Sequence, residues 1–231
     1  MQATLILVPG LLCDARLWRH QVAGLRGMAR LVIADHGRHD SIAAIASLLL
    51  KAAPGRFAIA GLSMGGYVAL EVFRQAPARV THLALLDTNA HADPPEASAR
   101  RQAQMAQAEG GGFAAVVEAL SAALIAPAHV QGEAGEIFRA MANDAGPGVF
   151  RRQQSAIMGR ADLTGLLPAI KVPSLVLCGE RDALTPPAIH RTMAKAMPQS
   201  RYVEIAGAGH LTPLEAPAAV TQAMESWLMQ A

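Results

Sequence analysis

Six short apolar runs recur along this 231-residue chain, each closed by glycine, aspartate or proline: "TLILVPG", "RLVIADHG", "RFAIAGLS", "HLALLDT", "SLVLCGE" and "YVEIAGAG". Most are continuous rather than alternating, the pattern of strands buried on both faces of a parallel sheet. Helical periodicity fills the gaps between them. Trp18, Val22 and Leu25 share one face, as do Ile42, Ile45, Leu48 and Leu49. Val220, Met224, Trp227 and Leu228 repeat the stripe behind Pro217, a residue suited to a first helical turn. Strand and helix in alternation predict a doubly wound α/β domain with about six strands, mostly or wholly parallel. The length suits one such domain, with a core on both faces of its sheet.

One region breaks the rhythm. Residues 90–171 contain no convincing strand. Helices are expected in "PPEASARRQAQMAQAEGG", "FAAVVEALSAALIA", "EAGEIFRAMAND" and "PGVFRRQQSAIMG", divided by glycine and proline. A helical insertion between two strands is most simply a cap over the carboxyl edge of the sheet. The expected division is therefore a core of residues 1–89 and 172–231 with a cap of residues 90–171.

Composition narrows the function classes. A formal charge of +2, without a basic run interleaved with aromatics, predicts no nucleic-acid partner. "MQATLILVPG" has neither a basic leader nor an apolar run long enough for a signal peptide or a membrane span, so a cytoplasmic location is expected. Cys13 and Cys178 lie far apart without metal-ligand spacing and are expected as free buried thiols.

The chemistry concentrates at Gly61-Leu62-Ser63-Met64-Gly65, followed by Gly66. The chain's own glycine and serine frequencies would produce G-x-S-x-G by chance roughly one time in ten. Its place between a buried strand and a helix start is far rarer. A sharp strand-to-helix turn lifts the serine hydroxyl clear of the sheet and brings strand and helix so close that only glycine fits two residues either side. The helix start behind it offers unpaired N–H groups. A plain connecting turn would not need this spacing. A dinucleotide-type phosphate loop would need the full G-x-G-x-x-G series, which is not met. A serine nucleophile needs a base within reach and a third group to orient that base, expected in the chain order Ser, Asp/Glu, His at later strand ends. "SLVLCGERD" presents Asp182 and "YVEIAGAGH" presents His210.

With "LVPGLLCDARLW", "GLSMGG", "LVLCGERDALTPP" and "IAGAGHLTPLEAP" in register and in order, nearly the whole chain resembles the α/β-hydrolase superfamily, in its carboxylesterase and enol-lactonase-like branch. The resemblance implies Ser63 as nucleophile, His210 as general base and then acid, and Asp182 as the orienting carboxylate. It also implies an oxyanion hole from the backbone N–H groups of Met64 and of Leu11, in the loop after the first strand. That loop reads Pro9-Gly10-Leu11 where the family usually has His-Gly-x, and the sequence starts almost at the strand before it, so the extra hairpin with which many relatives begin is not expected and about six strands are.

Other residues invite readings that spacing does not support. "ADHGRHDS" hints at a metal site, but His36 and His39 have no third ligand placed by spacing, and the stretch is expected as a surface loop. Asp87 ends a strand from which some relatives draw the acid, a role the Asp182 loop fits better. His20, His82, His91, His129 and His190 belong to no motif and are expected at the surface or core edge. Arg151 and Arg152 are expected on a solvated helix face, with a carboxylate-holding role in the pocket as the alternative.

The expected function is a serine hydrolase of small carboxylic esters, working through an acyl-enzyme on Ser63 without metal or cofactor. Phe113, Leu120, Leu124, Phe138, Met141, Phe150 and Met158 are the apolar residues the cap can offer to an acyl or aryl group. Because one fold hosts many activities, a lactonase of the enol-lactonase kind, a C–C hydrolase and a cofactor-free perhydrolase stay open as alternatives. A non-enzymatic ligand receptor is disfavoured by the intact Ser-Asp-His set. Substrate identity and oligomeric state are not readable.

Overall fold

The six apolar runs form β1 (Thr4–Val8), β2 (Arg30–Ile33), β3 (Phe57–Leu62), β4 (Val80–Leu86), β5 (Ser174–Gly179) and β6 (Ser200–Ile205). In the computed structural model, which describes residues 3–53 and 55–230, they make one wholly parallel sheet in the order β2-β1-β3-β4-β5-β6. Residues 1, 2 and 231 of the expected core, and Pro54, lie outside the described residues. Every residue of β1, β3 and β5 is buried. The two edge strands are the less buried ones, and they carry Arg30, Arg201 and Glu204, charges that discourage edge-to-edge pairing.

The first helices along the chain are α1 (Arg19–Leu25), α2 (Ile42–Ala52), α3 (Met64–Gln75) and α4 (Pro95–Gln107). They are followed by α5 (Phe113–Leu124), α6 (Glu133–Met158), α7 (Pro187–Ala196), α8 (Thr212–Glu215) and α9 (Pro217–Leu228). The strand pleat divides the core between two faces. Leu5 and Leu7 of β1 pack with Leu25 of α1 and with Val220, Met224 and Trp227 of α9. Ile6 and Val8 face the other way, toward Ile42 and Ile45 of α2, Val68 and Val72 of α3, and Met193 of α7. Ser41 caps α2 by accepting from the Ala44 N–H. Leu48, expected in the buried stripe of α2, is 41% exposed, because that stripe is narrower than its apolar sequence.

Between β4 and β5 lie only helices, as the periodicity predicts. A turn at residues 108–112, with Gly111 at φ 88°, joins α4 to α5. The long α6 is broken at Gly146 (φ 74°) ahead of Pro147, which separates the two helical segments expected there. Phe138, Met141 and Phe150 from α6 join the same apolar cluster as Leu5 and Leu7. Among the described residues no helix is long and apolar enough to cross a membrane.

The strand order reverses between β1 and β3: the chain runs outward to β2, then crosses back past β1. Such a switch point is where open α/β sheets leave a crevice at the carboxyl ends of their strands. The register pairs Val8 with Gly61, so the loops that follow β1 and β3 leave the sheet side by side. Leu11 and Ser63 stand on those two loops.

Candidate active site

Ser63 sits at the junction of β3 and α3 with φ 54° and ψ −115°, a region that side chains other than glycine rarely adopt. Strain of this kind costs on the order of 1–3 kcal/mol and persists only where the surroundings enforce it. Here the Ser63 N–H donates to the Leu86 carbonyl at 2.9 Å, and the Ser63 carbonyl accepts from Gly66 N–H and from the Thr88 hydroxyl at 2.8 Å. The glycines around it answer to close approach. A Cβ on Gly61 would stand 2.0 Å from the Gly65 carbonyl oxygen, and one on Gly65 would stand 2.1 Å from that of Val8. Gly66 is pressed against Thr88 in the same way.

The structure brings Ser63, His210 and Asp182 into one chain of hydrogen bonds. His210 Nε2 lies 2.8 Å from Ser63 Oγ, and His210 Nδ1 lies 2.7 Å from Asp182 Oδ2. His210 and Asp182 are almost fully buried. Asp182 Oδ1 accepts from the N–H groups of Leu184 and Thr185, and Oδ2 also accepts from the Thr185 hydroxyl at 2.6 Å. Burial alone would raise the Asp182 carboxyl. The charge and hydrogen bond of His210 and the bonds from Thr185 outweigh it and hold the group below the usual carboxylate range.

Asp87 is close by and quite different. It is fully buried at φ 46°, accepts from Gly179 N–H and the Thr212 hydroxyl, and none of its hydrogen bonds goes to His210. Burial, and then the Asp182 charge, push its carboxyl well above the ordinary range. Two aspartates at neighbouring strand ends are thus shifted in opposite directions.

The two backbone groups expected to receive an oxyanion, the N–H of Met64 and of Leu11, donate to no other protein group among the described residues. The Leu11 loop departs from the usual sequence and is held by two residues that sequence reasoning missed. His36 Nε2 lies 2.9 Å from the Gly10 carbonyl oxygen, and Gln153 of α6 accepts from the Leu12 N–H at 2.8 Å, fixing Leu12 at φ 58°. The Gln153 amide nitrogen is also 3.2 Å from His36 Nε2. The stretch lies at the surface as expected, with Asp35, Arg38, His39 and Asp40 exposed, but the His36 side chain turns inward. His36 is 4% exposed, because its ring is held against the loop after β1. Burial lowers its pKa, which favours the neutral ring. Among the described residues no three His, Cys, Asp or Glu side chains are grouped as metal ligands.

His190 also departs from expectation: it is fully buried. Burial lowers its pKa to about 4, so the ring is neutral at pH 7, and its Nε2 accepts from the Thr88 N–H at 2.9 Å. Thr88 in turn holds the Ser63 carbonyl, so His190 supports the serine turn from behind. Glu215, within the histidine-loop motif, accepts from the N–H groups of Gly209, Leu211 and Ala126. With the His210 N–H on the Leu124 carbonyl at 2.7 Å, it ties the His210 loop to the end of α5. Cys13 and Cys178 are free and buried, as expected.

A cavity of about 300 Å³ opens onto Ser63 and His210. Its walls are mainly apolar and include Leu11, Leu62, Leu120, Leu124, Ile157 and Leu211. Of the apolar residues the inserted helices were expected to offer, Leu120 and Leu124 line it. Phe138, Met141 and Phe150 are instead buried in the core. Arg151 faces Glu109 at the surface and Arg152 donates to the Gly37 carbonyl. The guanidinium groups that line the cavity belong to Arg100 and Arg101 of α4.

A family model described as "alpha/beta hydrolase fold" matches residues 35–217, a span that includes Ser63, Asp182 and His210. The curated protein "Putative non-heme bromoperoxidase BpoC" of Mycobacterium tuberculosis is 32% identical over 189 residues, covering 76% of this chain and 68% of that protein. The structure of a thermophilic esterase from Thermogutta terrifontis superposes with a TM-score of 0.88 at 31% identity, covering 99% of this chain and 90% of the other. That of an enol-lactonase from Burkholderia xenovorans LB400 gives 0.89 at 26% identity, covering 100% and 92%.

Proposed function

The chain belongs to the alpha/beta hydrolase family, and we propose that it is a serine hydrolase that cleaves a small carboxylic ester, a lactone being the cyclic case of the same bond. The observation that carries this reading is the unbroken path from Asp182 through His210 to Ser63 Oγ, at 2.7 and 2.8 Å, opening into a cavity of small-molecule size.

In this mechanism Ser63 Oγ attacks the substrate carbonyl carbon while His210 Nε2 takes its proton. The buried Asp182 keeps the ring oriented and stabilises the imidazolium. Negative charge moves to the former carbonyl oxygen, where the N–H groups of Leu11 and Met64 receive it. One such donor is typically worth about 10²–10³ in rate. The tetrahedral intermediate collapses, the C–O bond to the alcohol breaks, and the leaving oxygen takes the proton from His210. Water then gives a proton to His210 and attacks the acyl carbon, and the acid leaves as Ser63 regains its proton. Residues 90–171 act as the cap: α4 and α5 supply walls of the cavity, and Gln153 of α6 holds the Leu11 loop.

Hydrolysis of p-nitrophenyl esters of increasing acyl length by wild type and by Ser63→Ala tests the reading. Turnover by wild type that drops to background in Ser63→Ala is the expected result, and the chain-length preference then sizes the pocket. Inert esters with Ser63 still labelled by a fluorophosphonate would move the substrate to lactones. A serine that takes no label would overturn the assembled triad and favour a ligand-binding role.

A further inference from the structure

The loop after β1 separates two cavities. Leu11 lines the one that holds Ser63 and His210, Leu12 lines a second of about 310 Å³, and Cys13 lines both. Among the described residues Cys13 is the one that the two cavities share. α6 runs past them with Val149 and Gln153 on the second cavity and Ile157 on the first, spaced i, i+4 and i+8 on one helix face. The second cavity is apolar along Leu12, Ile33, Ala34, Ala145 and Val149, and its two carboxylates, Asp14 and Asp35, are paired with Arg16 and Arg38.

The backbone of this partition is pinned without help from the Cys13 side chain. The Cys13 N–H donates to the Gly10 carbonyl at 3.1 Å, beside the contacts of Gln153 with Leu12 and of His36 with Gly10. Cys13 is 6% exposed and its thiol rests against the Gly10 backbone. Burial pushes the thiol pKa far up, so the group stands there as a compact neutral wall, not as a second nucleophile. The reaction gives the substrate a direction. His210 Nε2 delivers its proton to the leaving oxygen, so the leaving group lies on the His210 side. There the cavity reaches Leu184, two residues beyond Asp182 and 49% exposed, at its solvent end. The acyl chain is left the other side, against the loop after β1.

Resting on the serine-hydrolase reading, we infer that the side chain of Cys13 is the end wall of the acyl part of the cavity and limits the substrate to a short acyl group. The second cavity behind it is about as large as the first, so removing the thiol joins them and roughly doubles the space open to a chain. The added space is lined by apolar side chains and takes a hydrocarbon tail.

Two ester series test this: p-nitrophenyl acetate, butyrate and octanoate vary the acyl chain, and ethyl, butyl and octyl acetate vary the alcohol. Wild type is expected to favour butyrate over octanoate by roughly tenfold or more in kcat/KM, since each methylene left unburied forgoes about fourfold. Cys13→Ala, and Cys13→Gly more strongly, raise the octanoate-to-butyrate ratio about tenfold. Cys13→Leu, which keeps the site filled, moves the preference the other way, toward acetate. Val149→Phe, which fills the second cavity from its far wall, cancels the gain of Cys13→Ala and by itself leaves acetate hydrolysis unchanged. The ranking of the alkyl acetates stays the same throughout. An acyl profile that Cys13→Ala and Cys13→Leu both leave unchanged would overturn the inference. So would a wild type that takes octanoate as well as butyrate, a change confined to the alcohol series, or a gain that survives Val149→Phe. Should wild type hydrolyse no ester, the serine-hydrolase reading fails separately. Calorimetry of butyric and octanoic acids on Ser63→Ala then decides the wall: tighter octanoate binding on adding Cys13→Ala supports it, and no binding or no gain sinks it.

Discussion

Asp87 and Asp182 have the same side chain and opposite electrostatics, and the difference lies in what each can reach. Asp182 has the His210 ring and three donors from residues 184 and 185, so its charge is compensated. Asp87 has two donors, full burial and a charged neighbour, which favour its neutral form. Asp182→Asn is expected to lower kcat by about 10⁴, since it removes the charge that supports the imidazolium. Because burial favours the neutral form of Asp87 and it does not contact His210, Asp87→Asn is expected to stay within about tenfold of wild type. Steady-state kinetics on one ester decides the point; the reverse ranking would make Asp87 the acid. His190 carries the second prediction at this scale. Its folded pKa of about 4 lies below the ordinary 6.5, so the unfolded chain binds the extra proton first. The stability contribution is complete above pH 6.5 and is lost as the pH falls toward 4, by on the order of 3 kcal/mol. Urea titrations across that range should show a slope that His190→Gln flattens. An unchanged slope would mean that other groups set the acid limit.

At the scale of elements, the approach of α3 to β1 and β3 dictates the glycines, whereas the approach of α6 to the loop after β1 has no such sequence mark. Strand-to-helix contact leaves no room for a Cβ at Gly61 or Gly65, and that exclusion is visible as a fixed spacing. Gln153 is an ordinary polar residue on a helix until α6 crosses the loop and its side chain meets the Leu12 N–H. Gln153→Leu leaves that buried N–H unpaired, at a cost of about 1–3 kcal/mol. Because the neighbouring Leu11 N–H is an oxyanion donor in the proposed mechanism, kcat should fall roughly tenfold or more while KM moves little. Urea denaturation together with kinetics on one ester checks both parts. A loss of stability with kcat intact would show that the loop keeps its shape without the glutamine.

For the whole molecule, the question is whether residues 90–171 stand apart from the sheet. Their apolar side chains do not close on themselves: Phe138, Met141 and Phe150 share one cluster with Leu5, Leu7, Trp18 and Trp227. The His210 N–H rests on the Leu124 carbonyl, and Glu215 holds the Ala126 N–H. A helical insertion joined to the sheet in this way should unfold with it. Tryptophan fluorescence reports Trp18 and Trp227, both on the sheet side, while far-UV circular dichroism reports mainly helix. The two denaturation curves are expected to coincide. Helix loss that precedes tryptophan exposure would instead mark the insertion as a separately folding unit.

Periodicity and spacing are properties of near neighbours, and whatever rests on near neighbours was legible in the chain itself. The six apolar runs, the helices between them, the helical insertion, and the order of Ser63, Asp182 and His210 after β3, β5 and β6 all belong to that class. Tertiary structure decided what depends on two distant segments meeting. The inward turn of His36, the burial of His190, the narrow stripe that leaves Leu48 exposed, and the grip of Gln153 on Leu12 are of that kind. So is the choice of Arg100 and Arg101, rather than Arg151 and Arg152, to face the cavity. The physical reason is the same in each case. A helix pattern says which side chains share a face, but only the crossing of that helix with elements far away in sequence determines what the face looks upon.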